Sequence, residues 1–283
     1  MQMIIFTDLD GSLLDHEDYS FEAARPSIER IKRLGIPLVM TTSKTRREVE
    51  LLQREMGMSA PMIVENGGGI FCPPGYGNLA IDRGERQGEY TVIRVGTTYS
   101  AVRRFVEKAA AAFGIRGFGD MAPAEIAALT GLSLEKAALA KEREFTEPFL
   151  MEESEKLRPL AEAASAEGLK ITRGGRFHHL IGVDQDKGVA VRIAGELFRM
   201  DSGEELVTIG LGDSANDLPM LEQVDIPVLI ARPDGKHLDI ELPGLIRAKA
   251  PGSRGWNDCV SRLLRECGEV QRKGDEEACG GIR

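Results

Sequence analysis

The stretch that decides the fold is MIIFTDLDGSLLDHE, residues 3–17. It opens as an apolar run of strand length and ends in two aspartates one residue apart, Asp8 and Asp10, followed at once by Gly11 and Ser12. Side chains two apart in a strand point the same way, so both carboxylates face one spot just beyond the last paired rung. Like charges that close repel each other. They stay together when a cation sits between them or when one carries a proton for catalysis. Taken alone, Asp-x-Asp-Gly is equally an exposed turn.

Working outward, apolar runs of strand length recur, each followed by a helical pattern: IPLVMTT (36–42), PMIVEN (61–66), and much later ELVTIGLGD (205–213), IPVLIA (226–231) and GLIRAKA (244–250). Between the first two strands, SFEAARPSIERIKRLG (20–35) has helical apolar spacing and a glycine stop at Gly35. Strands rich in Ile, Val and Leu alternating with amphipathic helices imply a parallel sheet covered on both faces, a Rossmann-like α/β core. A stretch of different texture interrupts it. We expect residues 1–83 and 184–283 to form the core and residues 84–183 an inserted α/β cap, with the strand-like EYTVIRVG (89–96) inside the cap. The polar tail from Gly268 onward is expected to fray.

The 283 residues carry a formal net charge of −9, which argues against nucleic acid as a partner, since phosphate-backbone binding needs a basic surface. The four cysteines, Cys72, Cys259, Cys267 and Cys279, form no CxxC pair and read as ordinary thiols rather than zinc ligands or a disulfide framework. No run reaches the length of a membrane span, and the chain enters a strand without a charged leader, so a cytoplasmic monomer or homodimer is expected.

The second strong signal is IGLGDSANDLPML (209–221), where a strand ends in Gly212 and presents Asp213, Ser214, Asn216 and Asp217 at a helix start. An N-cap explains one acidic residue and leaves the others unneeded. When two strands of one parallel sheet both end in clustered carboxylates, ligand binding beyond the carboxyl edge is the better account. Hard oxygen ligands with no His or Cys nearby favour Mg²⁺. The third element is MTTSKTR (40–46), whose Thr42 and Ser43 offer hydroxyls and N–H groups before a helix, where a phosphate can sit. The fourth is Lys187 in DQDKGVAV, a cation at a helix start, which hints at an anion close by.

In this order the four elements resemble the motifs of the haloacid dehalogenase superfamily of phosphohydrolases: DxDx[TS] in Asp8, Asp10 and Ser12, the hydroxyl after strand two in Thr42 with Ser43, the lysine in Lys187, and GDxxND in Gly212, Asp213, Asn216 and Asp217. The insertion between the second and third motifs resembles a Cof-type (IIB) α/β cap. A narrower resemblance, to the mannosyl-3-phosphoglycerate phosphatase family, rests on TSKTR (42–46), VENGGGI (64–70), REFTEPF (143–149), GGRFHHL (174–180) and APGSRGWN (250–257). The stretch between the cap's first helix and REFTEPF carries no such signature.

The resemblance implies a Mg²⁺-dependent phosphomonoester hydrolase that works through an aspartyl-phosphate. Asp8 would be the nucleophile and Asp10 the general acid and base, with Thr42 and Lys187 beside the phosphoryl group and Asp8, Asp10, Asp213, Asn216 and Asp217 around the metal. It implies removal of phosphate from mannosyl-3-phosphoglycerate or its glucosyl counterpart. A sugar-phosphate phosphatase of other specificity, a phosphomannomutase-like transferase and a non-catalytic phosphosugar-binding protein are the alternatives. Substrate contacts are expected from Ser43, Lys44, Glu65, Asn66, Arg143, Arg176, His178 and the backbone of Gly174 and Gly175. Adjacent strand residues face opposite sides, so only one of His178 and His179 can point at the site, the other being structural.

Overall fold

The computed structural model describes residues 2–77, 81, 84–174, 177–202 and 205–280. Strand β1 (Gln2–Thr7) lies at the centre of a sheet in which parallel partners flank it on both sides. On one side come β2 (Leu38–Thr41) and β3 (Met62–Val64), then β4 (Gly69–Cys72), which turns back antiparallel after the Gly67–Gly68 turn. This edge is extended by β5 (Glu85–Gln87) and β6 (Tyr90–Arg94). EYTVIRVG therefore belongs to the large sheet and not to the cap: Ile70, Phe71 and Cys72 of β4 pair with Ile93, Val92 and Thr91. Its alternation fits a strand in either sheet, and only the pairing with β4 decides between them.

The second unit begins after this strand. Its four-stranded antiparallel sheet, order β7-β8-β10-β9, consists of β7 (Ile115–Gly117), β8 (Glu147–Met151), β9 (Leu169–Gly174) and β10 (Phe177–Gly182). The chain then returns to the first sheet through β11 (Leu206–Gly212), which pairs with β1, and ends it with β12 (Ile226–Ala231) and β13 (Ile246–Pro251). The large sheet, as described, runs β13-β12-β11-β1-β2-β3-β4-β6-β5.

Helices cover both faces of this sheet because its strands are apolar on both sides. On one face Ile28 and Ile31 of α1 (Arg25–Leu34), Val49 and Leu52 of α2 (Arg46–Glu55), and Trp256 and Val260 pack on Ile5, Leu38 and Met40. On the other, residues of the helix Lys187–Ser202, including Ala190, Val191 and Phe198, pack on Ile4, Phe6, Val39 and Ile63. Helix α1 stops where Gly35 takes a left-handed conformation (φ 64°).

In the cap, α3 (Tyr99–Phe113) and a later helix, Leu157–Ala166, bury Val102, Phe105, Leu160 and Ala164 against Phe149, Leu169 and Leu180. Two short helices, α4 (Pro123–Thr130) and α5 (Leu134–Lys141), form a separate cluster around Phe118, Met121, Ile126 and Ala137 beside Phe177. These are the elements of the stretch without a signature.

The APGSRGWN signature is structural. Asp15, in the loop after β1, accepts the Ser253 N–H (3.0 Å) and hydroxyl (2.8 Å) at the start of the last helix, Gly252–Gly280. One turn on, buried Trp256 donates to the Thr7 hydroxyl (2.9 Å), which donates to the Asp8 carbonyl (2.7 Å). The helix thus caps itself on the loop that follows Asp8. That helix backbone continues through most of the stretch expected to fray. Asp15→Ala removes a helix cap and should lower stability by ~1–2 kcal/mol. Urea titration followed by fluorescence of Trp256, the chain's single tryptophan, measures it; an unchanged midpoint would contradict the capping role.

Candidate active site

Strands β1, β2 and β11 all run their carboxyl ends to one edge of the sheet, so the elements that follow them, Asp8 with Asp10, Thr42 with Ser43, and Asp213 to Asp217, meet there, joined by Lys187 from the start of the helix after β10. The Asp8 N–H donates to the Leu211 carbonyl (2.8 Å), continuing the β1–β11 ladder by one rung and bringing Asp8 level with the fourth motif. Gly11 is required here. It has φ 79°, and a Cβ on it would lie 2.7 Å from an Asp213 carboxylate oxygen.

At the heart of the site the Lys187 Nζ, 1 % exposed, lies 2.6 Å from Asp8 Oδ1 and 2.6 Å from Asp217 Oδ1. The sequence hint of an anion near this lysine is met by two carboxylates. Burial alone would push the ammonium toward its neutral form, but Asp217 and Asp8 outweigh it and hold the proton above the ordinary lysine range. Asp217 is fully committed: its Oδ2 accepts the N–H groups of Asp213 (3.1 Å) and Ser214 (3.0 Å) and the Ser214 hydroxyl (3.1 Å). Asn216 is also engaged, accepting from the Ser214 hydroxyl and donating to Asn66 Oδ1 (3.1 Å).

Carboxylate oxygens of Asp8, Asp213 and Asp217 lie within 4.8 Å of one another. One ammonium cannot neutralise three carboxylates. Burial, then the Asp217 charge, raise Asp8 well above the carboxyl range and push Asp213 up to about 7. Such crowding of hard oxygen donors fits a divalent cation, which would supply the missing positive charge. Of the three, Asp217 has its oxygens occupied, so Asp8 and Asp213 are the donors facing the cleft.

Asp10 also lines this cleft, with its Oδ1 2.9 Å from Lys44 Nζ, and Lys44 in turn sits 5.0 Å above the Tyr19 ring. Asp10 and Glu48 keep Lys44 charged in spite of its burial. Ser43 and Lys44 line the cleft, whereas Thr42 is buried beneath them with its hydroxyl accepting the Lys44 N–H (3.1 Å). The next residues of TSKTR tie the core to the cap: Thr45 caps α2 and donates to the Leu139 carbonyl (2.9 Å), and Arg46 pairs with Glu144 (2.8 Å).

Two expectations are corrected. Glu65 does not face a substrate. Its carboxylate, fully buried, accepts the backbone N–H groups of Glu144, Phe145 and Thr146, the Thr146 hydroxyl, and an ion pair from Arg143 (3.2 Å). Phe145 fills the space over Gly68 and Gly69, so VENGGGI and REFTEPF are the two halves of one clamp between core and cap. His178 faces the cap helices, stacked on Phe149, because it shares a strand face with Leu180; no position two residues away is out of register, and His179 is the one that lines the cleft.

Arg143 and Gly174 line the cleft, and Asn66 reaches it only through Asn216. Gly175 and Arg176 lie outside the described residues. Sequence reasoning missed His16 and Tyr19, from the loop after β1, and the apolar roof of Phe118, Leu132, Ala140, Pro148 and Phe177. The helical face of Leu180 was available to orient the two histidines; α4 and α5 left no chemical signal to read.

Residues 5–78 match the haloacid dehalogenase-like hydrolase family. A glucosyl-3-phosphoglycerate/mannosyl-3-phosphoglycerate phosphatase from Persephonella marina is 53% identical over 93% of this chain and 98% of its own length. The chain belongs to the haloacid dehalogenase-like hydrolases. A phosphatase of the same name from Methanococcoides burtonii is 44% identical over 93% of this chain and 98% of its own length. A solved structure from Thermoplasma acidophilum superposes with TM-score 0.68 at 18% identity, covering 93% of this chain and 99% of the other, and shares the fold. Among the described residues no helix is long and apolar enough to cross a membrane.

The raised carboxyls of this hydrolase set its pH dependence. In metal-free protein the cluster's contribution to stability is present below the usual carboxyl range and lost as pH rises through about 7. A cation competes with those protons, so its binding strengthens over the same interval. The rise in thermal midpoint on adding Mg²⁺ should be larger at pH 8 than at pH 6; an equal or smaller rise at pH 8 would contradict the cluster's role. Glu65→Ala leaves three buried amides without their acceptor and takes the ion-pair carboxylate from Arg143, which keeps its bonds to the Ser43 and Thr146 carbonyls, and should cost ~3 kcal/mol or more in urea denaturation; a loss under ~1 kcal/mol would refute the clamp.

Proposed function

We propose that the chain is a Mg²⁺-dependent phosphatase that removes phosphate from glucosyl-3-phosphoglycerate and mannosyl-3-phosphoglycerate. The observation that carries the chemistry is buried Asp8, held by Lys187 through one oxygen while the other has no hydrogen bond among the described residues, lining the same cleft as Asp10. The two relatives named for both substrates, each matched over nearly its whole length, support the substrate.

In this reading an Asp8 oxygen attacks phosphorus, and the bond to the glycerate C3 oxygen breaks as Asp10 gives that oxygen its proton. Asp10 then takes a proton from water as the water attacks the aspartyl-phosphate, releasing inorganic phosphate and regenerating Asp8. Lys187 and the loop of Thr42 and Ser43 supply positive charge and N–H donors to the phosphoryl oxygens, where positioning and electrostatics provide most of the rate. Mg²⁺ held by Asp8, Asp213 and the Asp10 carbonyl would neutralise further phosphoryl charge. Asp217 and Asn216 act by holding the loop that carries Asp213. Arg143 and Lys44 are the cations available to the glycerate carboxylate.

The test is phosphate release from both glycosyl phosphoglycerates with Mg²⁺. Asp8→Asn, which keeps the shape and removes the nucleophile, should lower kcat by about a thousandfold or more. Undiminished turnover in that variant, or formation of an isomeric sugar phosphate in place of free phosphate, would overturn the reading.

A further inference from the structure

His179 is 5 % exposed, lines the cleft and has no hydrogen-bond partner for Nδ1 among the described residues. Buried polar nitrogens are normally paired, and an unpaired one that borders a cleft is a group waiting for a ligand. Its position is set on both sides. In β10 it pairs with Thr172 and Pro148, on the face away from the cap helices. Gly174, at the end of β9, marks where it reaches the catalytic edge: the place a Cβ would take on Gly174 lies 3.5 Å from His179 Nε2 and 3.6 Å from Asn216 Nδ2, so both groups converge on one point above the fourth motif.

Burial, and then the nearby Arg143 guanidinium, push the imidazole down to about 3, so it is uncharged at neutral pH and carries one donor and one acceptor. A carboxylate or phosphoryl group in this cleft already has Lys187, Lys44 and Arg143. The partner that suits an uncharged imidazole, whichever nitrogen bears the proton, is a hydroxyl, which donates and accepts equally well. Close to it along the cleft lie Phe177, Phe118 and Leu132, an apolar wall suited to the C–H face of a sugar ring.

We propose that His179 is the cap residue that reads the sugar, by a hydrogen bond between its imidazole and a hydroxyl of the glycosyl group. This rests on the reading of the substrate as a glycosyl phosphoglycerate. The role belongs to specificity and not to the phosphoryl chemistry, so it shows in the choice between substrates with and without the sugar.

Steady-state kinetics of the unmodified enzyme, His179→Leu and His179→Gln with Mg²⁺ test it on glucosyl-3-phosphoglycerate, mannosyl-3-phosphoglycerate and plain 3-phosphoglycerate. In His179→Leu the preference for the glycosyl substrates over 3-phosphoglycerate, as a ratio of kcat/KM, should fall by about ten- to a hundredfold, mainly through KM. His179→Gln, which keeps a donor and an acceptor, should recover most of it. An unaltered ratio in His179→Leu, or equal losses on all three substrates in both variants, would overturn the assignment. An unmodified enzyme that shows no preference for the glycosyl substrates would instead reject the proposed substrate, and His179 with it.

Discussion

Everything at the catalytic edge depends on one buried ammonium, that of Lys187, held between Asp8 and Asp217. A lysine this deep is tolerated only when carboxylates compensate for its lost hydration, and removing one member of such a group leaves an uncompensated charge worth ~3–5 kcal/mol. The arrangement is asymmetric in a useful way. Asp217 spends its remaining oxygen on the backbone of its own loop, which fixes Asp213, while Asp8 keeps an oxygen for the cleft. The lysine thus settles which carboxylate is structural and which is available, and the residual negative charge at Asp8 and Asp213 calls for a second cation.

The cap is joined to this centre by a second ionic arrangement, whose carboxylate is structural and whose guanidinium also borders the cleft. Glu65 gathers three successive cap amides and Arg143, Gln185 donates to the Glu65 carbonyl (2.6 Å), and the same Gln185 accepts from Gly182 where the chain leaves the cap. Arg143 also donates to the Ser43 carbonyl (3.0 Å), so the loop beside the phosphoryl site and the cap share one guanidinium. The cap above the cleft and the loop of the second motif are therefore held in place by the same side chain.

Much of this was legible in the chain. The strand that ends in Asp8 and the strand that ends in Gly212 identify themselves by apolar runs closed by carboxylates, and the α/β pattern puts them in one parallel sheet, while their adjacency is seen only in the pairing of β1 with β11. The local signatures were legible as family marks but not as chemistry: VENGGGI, REFTEPF and APGSRGWN look like ligand loops and are a clamp and a cap, because a carboxylate aimed at backbone amides reads the same in one dimension as one aimed at a sugar. EYTVIRVG misled for a related reason, since an alternating strand does not name its partner. The roof of the cleft was invisible, being built from Phe118, Leu132 and Ala140, on and between short helical segments whose residue types say only that they are apolar.

The central claim is that Asp8 and Asp213 would together hold one divalent cation, which would supply the positive charge that Lys187 alone does not. The most direct measurement is an anomalous difference map from crystals grown at pH 8 with Mn²⁺ as a substitute for Mg²⁺. The account predicts a single strong peak ~2 Å from a carboxylate oxygen of Asp8 and from one of Asp213. An empty cluster, or a peak bound elsewhere with Asp8 and Asp213 unligated, would contradict it.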